Sequence, residues 1–266
     1  MSVIKTAQSK VTATIPVGDT PLGVAIRPDG EAAFVANLNS DSVSVVALLF
    51  NTVAATIAAS GNLAHPANIA VGPANTAAAG QFYVTGDSGV VGIDGVSHQV
   101  SLSAPGSRPA AIAVSPDGIH LYWVSIIENT LSSANIKTQK VATVAEGQRP
   151  CGVAVSPDSA RVYVANEANN SISVIDTATN AVAANIPTGT YAPVCLAVSP
   201  DGSVLYATKT DGGISDGTVL AIDTGSNTVI TTLAVGKRPF GVTVSPDGGR
   251  LYVVNSNDST VSVISV

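Results

Sequence analysis

A phrase of about forty residues recurs along this chain, and it constrains the fold more than any other feature. Residues 147–177 read GQRPCGVAVSPDSARVYVANEANNSISVIDT, and residues 236–265 read GKRPFGVTVSPDGGRLYVVNSNDSTVSVIS. The shared plan is G-x-x-P, a short apolar run, S-P-D-G, a Tyr-Val run ending at Asn, and a V-S-V-I-D run. The turn proline marks the period, falling at Pro28, Pro73, Pro116, Pro157, Pro200 and Pro246. Six copies fill the 266 residues, which predicts one domain over 1–266 with inner strands near 23, 68, 111, 152, 195 and 241. The second copy (Val71-Gly72-Pro73-Ala74-Asn75) is degenerate, and the third ends its Tyr run at Ser125 instead of Asn.

Each copy holds four strand-like runs. In the fourth copy they are Gly152–Val155, Arg161–Ala165, Ser171–Ile175 and Val182–Ile186. Val, Ile, Tyr and Ala alternate with small or polar residues, the pattern of half-buried antiparallel strands. S-P-D-G is a turn with a mechanism: Pro presets φ, Asp bonds local backbone, and Gly accepts positive φ. The repeated Asp29, Asp117, Asp158, Asp201 and Asp247 therefore read as turn formers. No stretch sustains a helical period. Four short strands per unit of this length is the period of a propeller blade. The expectation is an all-β, six-bladed β-propeller of four-stranded antiparallel blades. The last copy stops in its third strand, while Val11–Gly18 (VTATIPVG) matches the fourth strand of copy four, Val182–Gly189 (VAANIPTG). The N-terminal strand is thus expected to complete the last blade and close the sheet edges.

Composition excludes several classes. Charged residues are only 11% of the chain and the net charge is −6, so no basic footprint for nucleic acid exists. No apolar run has transmembrane length, so no membrane insertion is expected, and Met1–Lys10 is too short and polar for a signal peptide. The two cysteines, Cys151 and Cys195, follow Pro150 and Pro193 in adjacent copies. They read as two buried small residues, with an inter-blade disulfide as the alternative.

The letters G-x-R-P-x-G-V-A-V-S-P-D-G, Tyr163-Val164-Ala165-Asn166, Tyr252-Val253-Val254-Asn255 and Val-Ser-Val-Ile-Asp resemble the YVTN-type, surface-layer-like β-propeller repeat family, over nearly the whole chain. The resemblance implies a propeller and an extracytoplasmic or cell-surface setting. It implies no single activity, because related propellers include lactonases, a lyase and redox-enzyme subunits.

Function is expected where the copies differ. The residue before the entry proline is Thr20, His65, Arg108, Arg149, Ala192 and Arg238 in turn. Propeller geometry would bring these to one rim, around the mouth of a channel. Arg guanidinium can grip carboxylate or phosphate bidentately, so Arg108, Arg149 and Arg238, with His65, Tyr191 and Glu167, form the candidate ligand site. The competing reading gives these arginines a structural role, with Glu167 and Asp258 as partners. Asn37, Asn166 and Asn255, which end the second strands, are expected to bond the following turn. The loop Thr208–Gly217, with Asp211 and Asp216, is the longest on this rim and reads as a solvated loop, with a lid or weak cation site as the alternative. No His/Cys cluster offers a metal site, no G-x-S-x-G elbow or P-loop is present, and no cofactor is expected.

The leading expectation is a monomeric, non-enzymatic binding module for an anionic small molecule, a sugar or an acidic protein segment. The alternative is a lactonase- or lyase-like enzyme with His65 as general base beside Asp87, Glu128 or Glu167. A third is a purely structural unit of a larger surface protein.

Overall fold

A computed structural model describes residues 1–59, 61–145, 147–210 and 216–266. Two strands open the chain: β1 (Ser2–Lys5) and β2 (Lys10–Thr14). Five four-stranded sheets follow. The first is β3 (Pro21–Ile26), β4 (Ala32–Asn37), β5 (Ser42–Ala47) and β6 (Thr52–Ala58). The second is β7 (Ile69–Val71), β8 (Gln81–Gly86), β9 (Gly89–Asp94) and β10 (Val100–Pro105). The third is β11 (Pro109–Val114), β12 (His120–Ser125), β13 (Thr130–Asn135) and β14 (Val141–Ala145). The fourth is β15 (Pro150–Val155), β16 (Arg161–Asn166), β17 (Ser171–Asp176) and β18 (Ala181–Pro187). The fifth is β19 (Ala192–Val198), β20 (Val204–Thr210), β21 (Asp216–Asp223) and β22 (Thr228–Lys237). A sheet of three, β23 (Pro239–Val244), β24 (Arg250–Asn255) and β25 (Thr260–Ser265), ends the chain. Strands pair in chain order and antiparallel. No α-helix occurs among the described residues. The fold is an all-β, six-bladed β-propeller.

Two compact units divide the chain. Unit one holds Met1–Val114, Gly118–Leu121 and Ala134–Val141; unit two holds Ser115–Asp117, Tyr122–Ser133 and Ala142–Val266. In unit one, Phe34 and Phe82 stack at 4.0 Å between centroids, inside a core with Val43, Val84 and Ile93. In unit two, Ile172, Val174 and Ile186 of the fourth blade meet Leu205, Ala207 and Ile222 of the fifth. These are the alternate, inward-facing residues of their strands, as a pleated sheet requires.

The expected closure differs from the structure. β2 pairs with β1, through Ser2↔Thr14, Val3↔Ala13 and Ile4↔Val11, and the last sheet has three strands. The cause is local. Met1 and Ile15 exchange both backbone hydrogen bonds, at 2.8 Å each. Ile15, Val3 and Val17 then pack on Ala33, Val35 and Val46 of the first blade.

The turn chemistry matches the repeat letters. Ser156 Oγ donates to Asp158 at 2.5 Å and accepts the Arg161 N–H at 2.9 Å. Ser199–Asp201 and Ser245–Asp247 repeat the same pair of bonds. These bonds hold the Asp158 and Asp247 carboxyls below the usual range and take Asp201 down to about 2. Cys151 and Cys195 are free thiols. Cys151 Sγ points to the carbonyls of Pro193 and Val194, both at 3.4 Å, and burial pushes its thiol up to about 12.

Candidate functional site

The entry loop of each blade is built around one backbone conformation. Thr20, His65, Arg108, Arg149 and Arg238 all sit at positive φ, between 45° and 54°. A side chain there meets backbone, at about 1–2 kcal/mol, and the following proline disfavours the right-handed alternative. Only Ala192 departs. It already begins β19, and its lengthened loop places the positive φ at Gly189 instead (81°).

Backbone bonds repeat around this residue. The carbonyls of Thr20, Arg149 and Arg238 accept the N–H of Leu38, Glu167 and Ser256 at 3.0, 3.1 and 3.0 Å. The carbonyls of Asp19, Gln148 and Lys237 accept from Asn39, Ala168 and Asn257. The glycine that opens G-x-x-P is fixed by the asparagine that closes Y-V-x-N. A Cβ on Gly18, Gly147 or Gly236 would fall 2.6–2.8 Å from Asn37, Asn166 or Asn255 side-chain carbon. Those asparagines are buried and donate to the next strand: Asn37 Nδ2 to Ser44 at 2.9 Å, Asn166 to Ser173 at 2.8 Å, Asn255 to Ser262 at 2.9 Å. Both repeat letters are therefore structural.

The side chains at the positive-φ position are what the loop presents. In unit two, Arg149 lies 3.3 Å from Glu167, with both groups partly in water, a pair of at most about 1 kcal/mol. Arg238 does not meet its expected partner. The Asp258 carboxylate instead accepts the Lys237 backbone N–H at 2.6 Å, and Arg238 stays exposed with no ion pair among the described residues. Tyr191 is 42% exposed.

A residue the sequence reading overlooked stands below Tyr191. Lys209 occupies the register position of the buried asparagines, opposite the entry proline: Pro193↔Lys209, as Pro150↔Asn166 and Pro239↔Asn255. It is 7% exposed, donates to the Thr188 carbonyl, and its ammonium lies 5.8 Å from the Tyr191 ring centroid. Burial holds its amine below the ordinary lysine range. The signal was available as the break in Y-V-x-N at Tyr206-Ala207-Thr208-Lys209.

In unit one, His65 Nδ1 lies 2.6 Å from Asp87 Oδ2, both side chains about half exposed. The His65 N–H donates to Asp41 at 2.8 Å, and the Arg108 N–H to the Asp87 carbonyl at 2.9 Å. Asp87 thus links the His65 and Arg108 loops. Arg108 is exposed, with no ion pair among the described residues. His65 lines none of the described cavities. The largest of these, about 590 Å³, lies under Gly18, Ser42 and Thr56, and a second of about 380 Å³ lies at the corresponding residues of the fourth blade, Gly147, Ser171 and Asn185. No group of three or more His, Cys, Asp or Glu suited to a metal occurs among the described residues. Asp211, named above with the long loop, lies outside the described residues. No helix is long and apolar enough to cross a membrane.

No protein-family model and no curated protein sequence matches this chain. Solved structures do. A chain of Kuenenia stuttgartiensis hydrazine synthase is similar over 99% of this chain and 88% of its own length, at TM-score 0.83 and 22% identity. A chain of a mitotic checkpoint complex matches over 99% and 80%, at TM-score 0.82 and 16% identity. The β-propeller domain of Myceliophteria thermophila Cps50 (Swd1) matches over 100% and 90%, at TM-score 0.80 and 12% identity. At such identities the likeness is one of fold: the chain folds as a β-propeller.

Proposed function

We propose that this protein is a non-enzymatic binding module that takes an anionic ligand, an acidic protein segment or an acidic sugar, on its entry loops. One observation carries the reading. The loops hold Arg108 and Arg238 at positive φ, with their guanidinium groups exposed and without an ion pair among the described residues. Their backbones hold the loops, while neither guanidinium makes a described ion pair, so each is available for a carboxylate or phosphate. Arg149, whose weak pair with Glu167 is easily exchanged, serves the same end. The repeat letters support membership of the YVTN-type family and, with it, an extracytoplasmic or cell-surface setting. The test is calorimetric titration with an oligo-glutamate peptide and with citrate. Binding that weakens at least tenfold in Arg108→Ala/Arg149→Ala/Arg238→Ala supports the proposal, and unchanged binding refutes it.

A second reading has its own observation. The 2.6 Å contact between His65 and Asp87 is the geometry of an oriented general base. It favours a lactonase- or lyase-like activity beside Arg108, with the arginine stabilising a developing oxyanion. Turnover of a lactone panel that is lost in His65→Gln supports it; no turnover by the unaltered protein refutes it.

A further inference from the structure

We infer that the inner half of the first blade's leading face is a docking surface for a two-stranded β-hairpin, built like the first two strands of this protein's own repeat. The inference rests on the fold and is independent of the binding reading above.

The β1–β2 pair is the outer half of a blade, position for position. Its register, Ser2↔Thr14, Val3↔Ala13, Ile4↔Val11 and Lys5↔Lys10, has a bulge between Val3 and Ile4. The register of β17–β18 is Ser173↔Asn185, Val174↔Ala184, Ile175↔Val182 and Asp176↔Ala181, with a bulge between Val174 and Ile175. Ser2-Val3-Ile4 repeats Ser173-Val174-Ile175, and Ser9 takes the positive φ of Asn180. The packing is shared as well. Val3 and Ile15 rest on Ala33, Val35 and Val46, as Val174 and Ile186 rest on Leu205, Ala207 and Ile222. β1 and β2 therefore sit on the first blade as a third and fourth strand sit on the blade that follows them.

The inner half of the same face shows what belongs beside them. Val24 and Ile26 hold the register positions of Leu196 and Val198. Leu196 is 6% exposed, because Ala154, Tyr163 and Ala165 of the preceding blade's first two strands cover it. Val24 and Ile26 are 55% and 59% exposed. Beside them runs the edge of β1, which pairs with β2 alone among the described residues. Two strands at about 4.8 Å spacing fill a strip about 10 Å wide. The occupant adds to the β1 edge antiparallel, as β16 adds to β17, and sets a tyrosine and small apolar residues on Val24 and Ile26. The recognition is strand addition, with main-chain bonds giving affinity and alternate side chains giving specificity.

The test supplies that hairpin. Residues Gly147–Ser171 are fused directly ahead of Met1, so that the repeat runs on in register, and Val24→Cys is introduced into fused and unfused proteins to report burial by maleimide labelling. The fusion is expected to raise the melting temperature by about 5 °C or more and to slow labelling at Val24→Cys at least tenfold. Tyr163→Asp in the added copy alone abolishes both effects. A fusion that changes neither overturns the inference. Resistance of Val24→Cys to labelling in the unfused protein also overturns it, because the face is then already covered.

Discussion

Replacing Arg238 by glycine is expected to stabilise the fold while removing a charge proposed to bind ligand, a separation that few surface substitutions offer. Arg238 sits at φ 50°. Its backbone carbonyl accepts from the Ser256 N–H at 3.0 Å and Ser256 Oγ at 2.9 Å, bonds that do not depend on the side chain. Relief of the left-handed strain is worth about 1–2 kcal/mol, and the extra freedom of glycine in the unfolded chain returns about 0.4–1 kcal/mol of that. Arg238→Gly should therefore gain about 0.5–1 kcal/mol. Arg238→Ala keeps a Cβ and gains nothing. At Arg149 the same change also removes the weak pair with Glu167, which lowers the net gain by up to about 1 kcal/mol. Ala192 is the internal control, since it lies in β19 without a positive φ, and Ala192→Gly should cost about 0.5–1 kcal/mol. Urea unfolding followed by the fluorescence of Trp123, the one tryptophan and 1% exposed, measures all four. If Arg238→Gly destabilises as much as Ala192→Gly, the strain argument is wrong. If Arg238→Gly and Arg238→Ala bind oligo-glutamate as tightly as the unaltered protein, the side chain has no binding role either.

Other outcomes follow from the same structure. Leu205→Ala opens a hole between the fourth and fifth blades, where Leu205 is 0% exposed. It should cost about 3–4 kcal/mol and lower the melting temperature by about 10 °C, whereas Val24→Ala, at 55% exposure, should shift it by less than about 2 °C. Acid should loosen the S-P-D-G turns. The Asp158, Asp201 and Asp247 carboxyls are depressed by Ser hydroxyl bonds, Asp201 to about 2, so their contribution is complete above the unfolded value near 4 and is lost as pH falls towards 2. Thermal unfolding across pH 2–5 should show that decline, and Ser199→Ala should flatten it. Because Cys151 and Cys195 are free and half-buried, reductant should leave the melting temperature unchanged, and both thiols should react with Ellman's reagent more slowly in the folded protein than in urea.

Much of the fold was legible because the repeat is redundant. Six copies of a proline turn report the period, and a degenerate second copy, reduced to the three-residue strand Ile69–Val71, does not disturb it. The turn roles of Asp158 and Asp201 were legible for a local reason: Ser, Pro, Asp and Gly act within four residues of one another. Closure was not, because pairing is a choice between partners of similar sequence. Ser2-Val3-Ile4 and Ser262-Val263-Ile264 carry the same three letters, and nothing in Val11–Gly18 says which of the two it joins. The structure selects β1, the partner joined to β2 by a four-residue turn, whose closure costs far less chain entropy.

The candidate site was legible by position, and its backbone conformation was not. Thr20, His65, Arg108, Arg149 and Arg238 differ in side chain from copy to copy, yet they share one backbone state that no letter of the repeat spells out. Variation at a strained position means that the turn constrains φ and leaves side-chain chemistry unconstrained, which is where binding residues can be exchanged without rebuilding a blade. Lys209 shows the reverse. It replaces a buried asparagine inside the constant part of the repeat, where the position is fixed by the entry proline opposite and the cost of change is high. A lysine held there at 7% exposure, against the Thr188 carbonyl and beneath an exposed Tyr191, must offset its desolvation with few contacts. Lys209→Met removes that charge at similar length. If the lysine serves only packing, Lys209→Met should match or exceed the stability of the unaltered protein and bind oligo-glutamate equally well. If its charge supports the arginines of the same unit, stability should rise while affinity falls several-fold. A loss of stability of more than about 2 kcal/mol would refute both, because it would make the bond to Thr188 worth more than the burial of the charge costs.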